Sequence, residues 1–364
     1  MQSKLILSCF FILLIVSTTV SANEESMKLR MKEIEQRINN LERRSPDRNT
    51  EEDNDTKGRI KLIEERIGSI NADTKNLRLA EKGAQPEYQL IKTISYPGLD
   101  PGQLLNPRGL AVSSKGIFVA DFDNKRIQHF TKDGAYVNYF NNLSSNSIGK
   151  LKGPYSIALG YGDTVWVVDK ENNLAIQYEI NGTFITSFGG LGDDNGKLNE
   201  PSGIDIDNKG YIYVADSGND RVQKFSPNGK HIVTIGGFGS GDYNFDKPVD
   251  VAVDNKGYIY VLDLGNKVIK KYNEYLQFMM EINGRPKKGR SWQKPVALET
   301  DDSGNIYIVD ANGRRVFIYN SKGELIDEIY EGLREPHDIA IRENIYITDG
   351  IKHQIFVYKV RASH

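Results

Sequence analysis

The chain has 364 residues, with 47 basic and 49 acidic side chains and a formal charge of −2. That length allows one large domain plus an extension, and the balanced charge supplies no global basic field, which argues against nucleic acid as a partner. The single cysteine, Cys9, lies in an N-terminal apolar run, so the rest of the chain has no disulfide, thiolate zinc site or cysteine nucleophile.

In chain order, Met1-Gln-Ser-Lys4 precedes the apolar run Leu5 to Val16, and Val20-Ser-Ala22 follows it. A short basic start, a brief apolar core and a small-x-small end read as a secretory signal peptide over residues 1–22. A membrane span needs about 20 apolar residues, so membrane attachment is expected only if this segment stays uncleaved. The protein is therefore expected to be secreted or cell-surface. Asn54, Asn142 and Asn181 head Asn-x-Ser/Thr acceptors that an exported chain can glycosylate.

Residues 23–83 carry two heptad seams. Met27, Met31, Ile34, Ile38 and Leu41 form one; Ile60, Ile63, Ile67, Ile70, Thr74 and Leu77 form the other. Apolar steps of three and four predict helices with a coiled-coil seam, and Ser45-Pro46-Asp47 breaks the first. Two readings follow: a hairpin folded on itself or on the next domain, and a stalk that makes a homo-oligomer through residues 23–82. The stalk is the preferred reading.

From residue 84 the sequence repeats. Pro107, Pro154, Pro201, Pro248 and Pro295 are spaced 47 residues apart, and Pro336 follows after 41. Each is followed by an aspartate: Asp121, Asp169, Asp216, Asp263, Asp310 and Asp349. The copy beginning at Pro201 is the clearest. Ile204 and Ile206 alternate with Asp205 and Asp207, which predicts a strand with one buried face. Asp207-Asn-Lys-Gly210 is a hairpin turn, Tyr211 to Ala215 a second strand and Arg221 to Phe225 a third. Pro227-Asn-Gly229 turns the chain into a fourth strand, Lys230 to Ile235. Four antiparallel strands repeated six times predict an all-β, six-bladed β-propeller over residues 84–364. The last copy has only three strands, and an orphan strand at Tyr88 to Tyr96 is expected to complete it and close the ring.

These copies resemble the NHL-repeat family. Pro107-Arg-Gly-Leu-Ala-Val112, Gly116-Ile-Phe-Val-Ala-Asp121 and Asn124-Lys-Arg-Ile-Gln-His-Phe130 follow its pattern. Copy two departs from it with Asn173-Leu-Ala, and copy six is shorter. The resemblance implies the fold. For function it implies a binding surface for protein or RNA, or metal-dependent lyase chemistry.

In such propellers the residue after each proline is expected to ring the channel mouth: Arg108, Tyr155, Ser202, Val249, Val296 and His337. This mixed set suits a small ligand or a peptide end. A lyase resembling the peptide-amidating propeller would need several histidines converging there. Of five histidines only His337 holds a channel position, with His353 near the same rim. No cofactor is predicted, and a metal at the channel mouth stays open. The six repeat aspartates are read as structural, accepting backbone N–H bonds at each turn. Among the long loops, Tyr243 and the basic segment Arg285, Lys287, Lys288, Arg290 and Trp292 are candidate contacts. The reading for Trp292 allows either contact or inward packing. The expected function is an extracytoplasmic binding module for a protein, peptide or anionic polymer; the alternative is a metal-dependent lyase or hydrolase using His337, Arg108 and Tyr155.

Overall fold

The computed structural model describes residues 88–143, 149–284 and 290–360. The expected signal peptide, the heptad segment and the acceptor Asn54 lie outside them, as do Arg285, Lys287 and Lys288. Among the described residues no helix is long and apolar enough to cross a membrane.

Six four-stranded antiparallel sheets form a β-propeller. The innermost strands are Pro107–Ser113, Pro154–Gly160, Pro201–Ile206, Pro248–Val253, Pro295–Thr300 and Pro336–Ile341, in blades 1 to 6. Each begins at a repeat proline and runs from one face of the ring, here the proline face, to a hairpin on the other, the turn face. Proline suits the first residue of a strand, where a missing N–H costs no ladder bond. The repeat aspartate ends the second strand opposite that proline, as in the pairs Pro201 with Asp216 and Pro248 with Asp263.

The hairpins carry their own fastening. Asp207 Oδ1 accepts the Lys209 and Tyr211 N–H groups, and Tyr213 donates its hydroxyl to Oδ2. Asp254 and Asp301 repeat this arrangement with Tyr260 and Tyr307. An Asx turn thus starts each of these hairpins and is buttressed by the next strand. Gly210 takes φ 84°, as the turn requires.

The hydrophobic core lies between blades. Ala158, Trp166 and Val168 of blade 2 pack with Ile204, Ile212 and Phe225 of blade 3. Tyr213 and Val222 of blade 3 pack with Val251, Val261 and Tyr272 of blade 4. A blade that buries both faces on its neighbours needs a ring to satisfy it.

Closure occurs as expected. Tyr88–Ile94 pairs antiparallel with Gln354–Val360, from Tyr88 opposite Val360 to Ile94 opposite Ile355, with a bulge between Leu90 and Lys92. The first strand of the domain therefore becomes the outer strand of blade 6, and no blade is left with three strands.

Candidate functional site

The six residues after the prolines surround the proline end of the channel, as the repeat predicts, but they are not equivalent. Ser202 and His337 are buried, at 4% and 5% exposure. Ser202 Oγ donates to the Val249 carbonyl at 2.6 Å and shares a 2.5 Å contact with Ser217 Oγ. Its hydroxyl is committed to the seam between blades 3 and 4. A residual space of about 10 Å³ remains among Arg108, Tyr155, Ser202, Asp250, Val296 and His337. That is room for about one water.

Arg108 is held differently. Its guanidinium carbon lies 5.5 Å from the Phe122 ring centroid and 5.7 Å from that of Tyr155. Phe122 and Tyr155 meet edge to face at 6.0 Å. Lys170 Nζ lies 5.1 Å from the Tyr155 centroid. Arg108 Nε is buried without a hydrogen-bond partner, and among the described residues its side chain makes no ion pair with a carboxylate. Burial raises the Tyr155 phenol above its usual range, so it is a hydroxyl donor near neutral pH rather than a base. The mouth is thus cationic and aromatic on blades 1 and 2, and small or aliphatic at Ser202, Val249 and Val296.

His337 Nδ1 bonds the Pro107 carbonyl at 2.9 Å, which makes Nδ1 the protonated nitrogen. Its Nε2 faces Glu335 Oε1 at 3.6 Å. Burial first, then the Arg108 charge, lowers His337 to about 4. A neutral imidazole this weakly basic is poorly matched to general-base work near neutral pH. Nε2 and Glu335 could supply two metal ligands, but a catalytic zinc site needs three protein ligands. Among the described residues no group of three or more His, Cys, Asp or Glu is placed to hold a metal. His353 Nδ1 accepts the Asn106 N–H at 2.9 Å and so fastens the loop before Pro107. His129 is buried and stacked on Phe118 at 4.3 Å.

The repeat aspartates are all fully buried and act as loop anchors. Asp216 accepts from the Asn199 N–H (2.6 Å), Asn219 Nδ2 (2.9 Å), Arg221 Nε (2.6 Å) and Gln223 Nε2 (3.1 Å). Asp121 repeats this set with Leu105, Asn124, Arg126 and Gln128. Asp169 takes the Lys152 and Gly153 N–H groups, Asp310 those of Gln293 and Lys294, and Asp349 those of Arg334 and Glu335. Asp263 takes the Asp246 N–H and Asn266 Nδ2.

Trp292 is not a surface contact. It is 1% exposed, packs edge to face on Tyr319 at 6.0 Å, and donates its indole N–H to the Tyr319 hydroxyl at 2.9 Å. An indole whose N–H finds an internal acceptor buries readily. Tyr243 is half in solvent, at 49% exposure, with its hydroxyl accepting the Phe278 N–H at 3.2 Å.

Sequence reasoning missed the channel carboxylates. Asp205, Asp250 and Asp338 sit on inner strands, where the apolar–polar alternation suggests a solvent-facing side. That side is the channel wall. Asp205 accepts the Val253 N–H (2.6 Å), Asp250 the Leu298 N–H (2.8 Å) and Asp338 the Leu110 N–H (2.7 Å), each from the next blade. Glu299 lies on the same wall. Burial raises all four carboxyls: Asp205 to about 6, Asp338 to about 7, Glu299 to about 8, and Asp250 well above its usual range. The repeat offered a clue, because the fourth position after the proline is alanine in four copies and acidic only at Asp205 and Glu299. Toward the turn face the channel widens to a cavity of about 350 Å³, bordered by Asp205, Glu299 and Arg342.

A closed ring of six four-stranded blades, each anchored by a buried aspartate at a fixed repeat position, defines a β-propeller of the NHL type. The NHL repeat matches residues 104–130 and 198–225, in blades 1 and 3, which bears out the resemblance to the NHL-repeat propellers. A comparison with curated proteins finds no match. Among solved structures the chain is similar to virginiamycin B lyase from Staphylococcus aureus, at 15% identity and TM-score 0.55, covering 75% of this chain and 100% of that one. It is also similar to a gluconolactonase from Xanthomonas campestris, at 12% identity and TM-score 0.54, covering 75% and 99%. A Bacteroides thetaiotaomicron protein of unknown function matches at 15% identity and TM-score 0.56, covering 75% and 76%. At these identities the likeness shows the fold alone.

Proposed function

We propose that this is an exported recognition propeller that takes an anionic group of a protein, peptide or polymer ligand at its proline-face channel mouth. The observation that carries this reading is Arg108. A guanidinium packed against two aromatic rings, with no carboxylate partner among the described residues, is pre-ordered for a carboxylate or phosphate. The aliphatic half of the mouth would meet the apolar part of such a ligand. The small space, the committed Ser202 and the weakly basic His337 favour capture over turnover. The heptad segment is proposed to multiply or position the domain.

The test uses a pool of random hexapeptides with free C-terminal carboxylates and the same pool amidated. The reading expects the free-acid pool to bind better, and Arg108→Gln to remove the difference. Equal binding of both pools by both proteins would end it.

The second reading is a metal-dependent lyase or hydrolase. It is favoured by the free Nε2 of His337 facing Glu335, and by neighbours in fold that are named as a lyase and a gluconolactonase. Near-stoichiometric transition metal in the purified protein, lost in His337→Ala, would put it first.

A further inference from the structure

Three loops of the proline face are gripped from beneath by a buried cation paired with a repeat aspartate. Arg126 donates to the carbonyls of Leu99, Asp100 and Gln103 at 2.8 to 2.9 Å. Arg221 donates to those of Asp193, Asp194 and Lys197 at 2.6 to 2.9 Å. Lys270, fully buried, reaches those of Gly241 and Asn244 at 2.8 and 2.5 Å. Each loop is also closed by a parallel bridge: Pro97 with Leu104, Leu191 with Leu198 and Phe238 with Phe245.

These pinned loops carry the most exposed apolar tips of that face: Leu99 at 71%, Leu191 at 72% and Phe238 at 75%. Leu191 and Phe238 hold the same repeat position on adjacent blades, 47 residues apart. A single exposed apolar residue needs no explanation. An apolar side chain recurring on loops that the fold has made rigid is different, because such loops cannot fold the tip inward to shield it. Rigid presentation also lowers the ordering cost of binding. Beside each tip stand exposed carboxylates: Asp100, Asp193 with Asp194, and Asp242. None of them forms an ion pair among the described residues.

We propose that the loops of blades 3 and 4, through Leu191, Phe238, Asp193, Asp194 and Asp242, form a docking surface for a partner segment that carries large apolar side chains among lysines or arginines. The apolar tips supply contact area, and the free carboxylates select a cationic partner by charge complementarity. This surface does not depend on the Arg108 reading, which concerns an anionic group at the channel mouth.

The experiment selects displayed random dodecapeptides on the intact protein and measures the binding of the enriched peptides. The expected peptides combine lysine or arginine with large apolar residues. Their binding should weaken about tenfold or more in Leu191→Ser with Phe238→Ser. It should also weaken, and become less salt-sensitive, in Asp193→Asn with Asp194→Asn and Asp242→Asn. All these positions are exposed, so the variants should fold, and near-native thermal midpoints would verify it. The proposal is overturned if no peptide is enriched, if the enriched peptides are neutral or acidic, or if the loop variants bind them unchanged. Loss in Arg108→Gln without loss in the loop variants would overturn it too, and would leave the channel-mouth reading standing.

Discussion

Asp338 Oδ2 accepts the Leu110 N–H at 2.7 Å, joining blade 6 to blade 1 across 228 residues of chain. The same seam is crossed by His337 to the Pro107 carbonyl, Thr348 to the Arg108 carbonyl and Arg342 to the Val112 carbonyl. Side chains of the last blade thus satisfy the backbone of the first, just where closure must be specified.

The protonation of this wall gives a pH prediction. Asp338 and Glu299 have folded-state values of about 7 and about 8, above the roughly 4 of an unfolded carboxyl. The folded state therefore holds protons that the unfolded state has released. Their stabilising contribution is complete below about pH 4 and is lost as pH rises through the folded values. His337, lowered to about 4, acts in the opposite sense, but only below about pH 6.5. The thermal midpoint should therefore be higher at about pH 6.5 than at about pH 8.5, and Glu299→Gln should flatten that difference. An unchanged slope in the variant would refute the assignment.

Replacing Asp216 by alanine should cost about 3–5 kcal/mol, because Arg221 stays buried without its carboxylate. Denaturant unfolding measures the loss. A cost under about 1 kcal/mol would mean that the aspartate is not an anchor.

Gly203 abuts the neighbouring blade. A Cβ there would lie 2.6 Å from the Asp250 Cα and 2.7 Å separates the corresponding Cβ at Gly109 from the Ser156 Cα. Gly203→Ala should destabilise the ring by about 1–3 kcal/mol through overpacking. The same denaturant titration would show it as a lower midpoint.

Trp292→Phe should cost about 1–3 kcal/mol by stranding the Tyr319 hydroxyl and thinning the core. Chemical unfolding would reveal the cost, while binding of selected peptides should be unaffected if the folded fraction is matched.

Arg108→Gln should change stability by about 1 kcal/mol at most, since its guanidinium packs on Phe122 and Tyr155 and makes no ion pair among the described residues. A much larger drop in the thermal midpoint would make Arg108 a structural residue.

The repeat alone determined the number of blades, the closing strand and the anchoring role of the aspartates. Each of these follows from one unit that cannot bury its faces by itself and so must be stacked. Tertiary structure decided the rest. A period of two tells which side chains share a face of a strand and is silent on what lies across from that face. Asp205, on the polar side of its alternating strand, became channel wall once the ring closed, and Asp338 lies on the same wall. Trp292 sat in a basic loop and turned inward because Tyr319, 27 residues away, offers its hydroxyl. Arg108 meets the rings of Phe122 and Tyr155, a contact that no local pattern around Pro107 records.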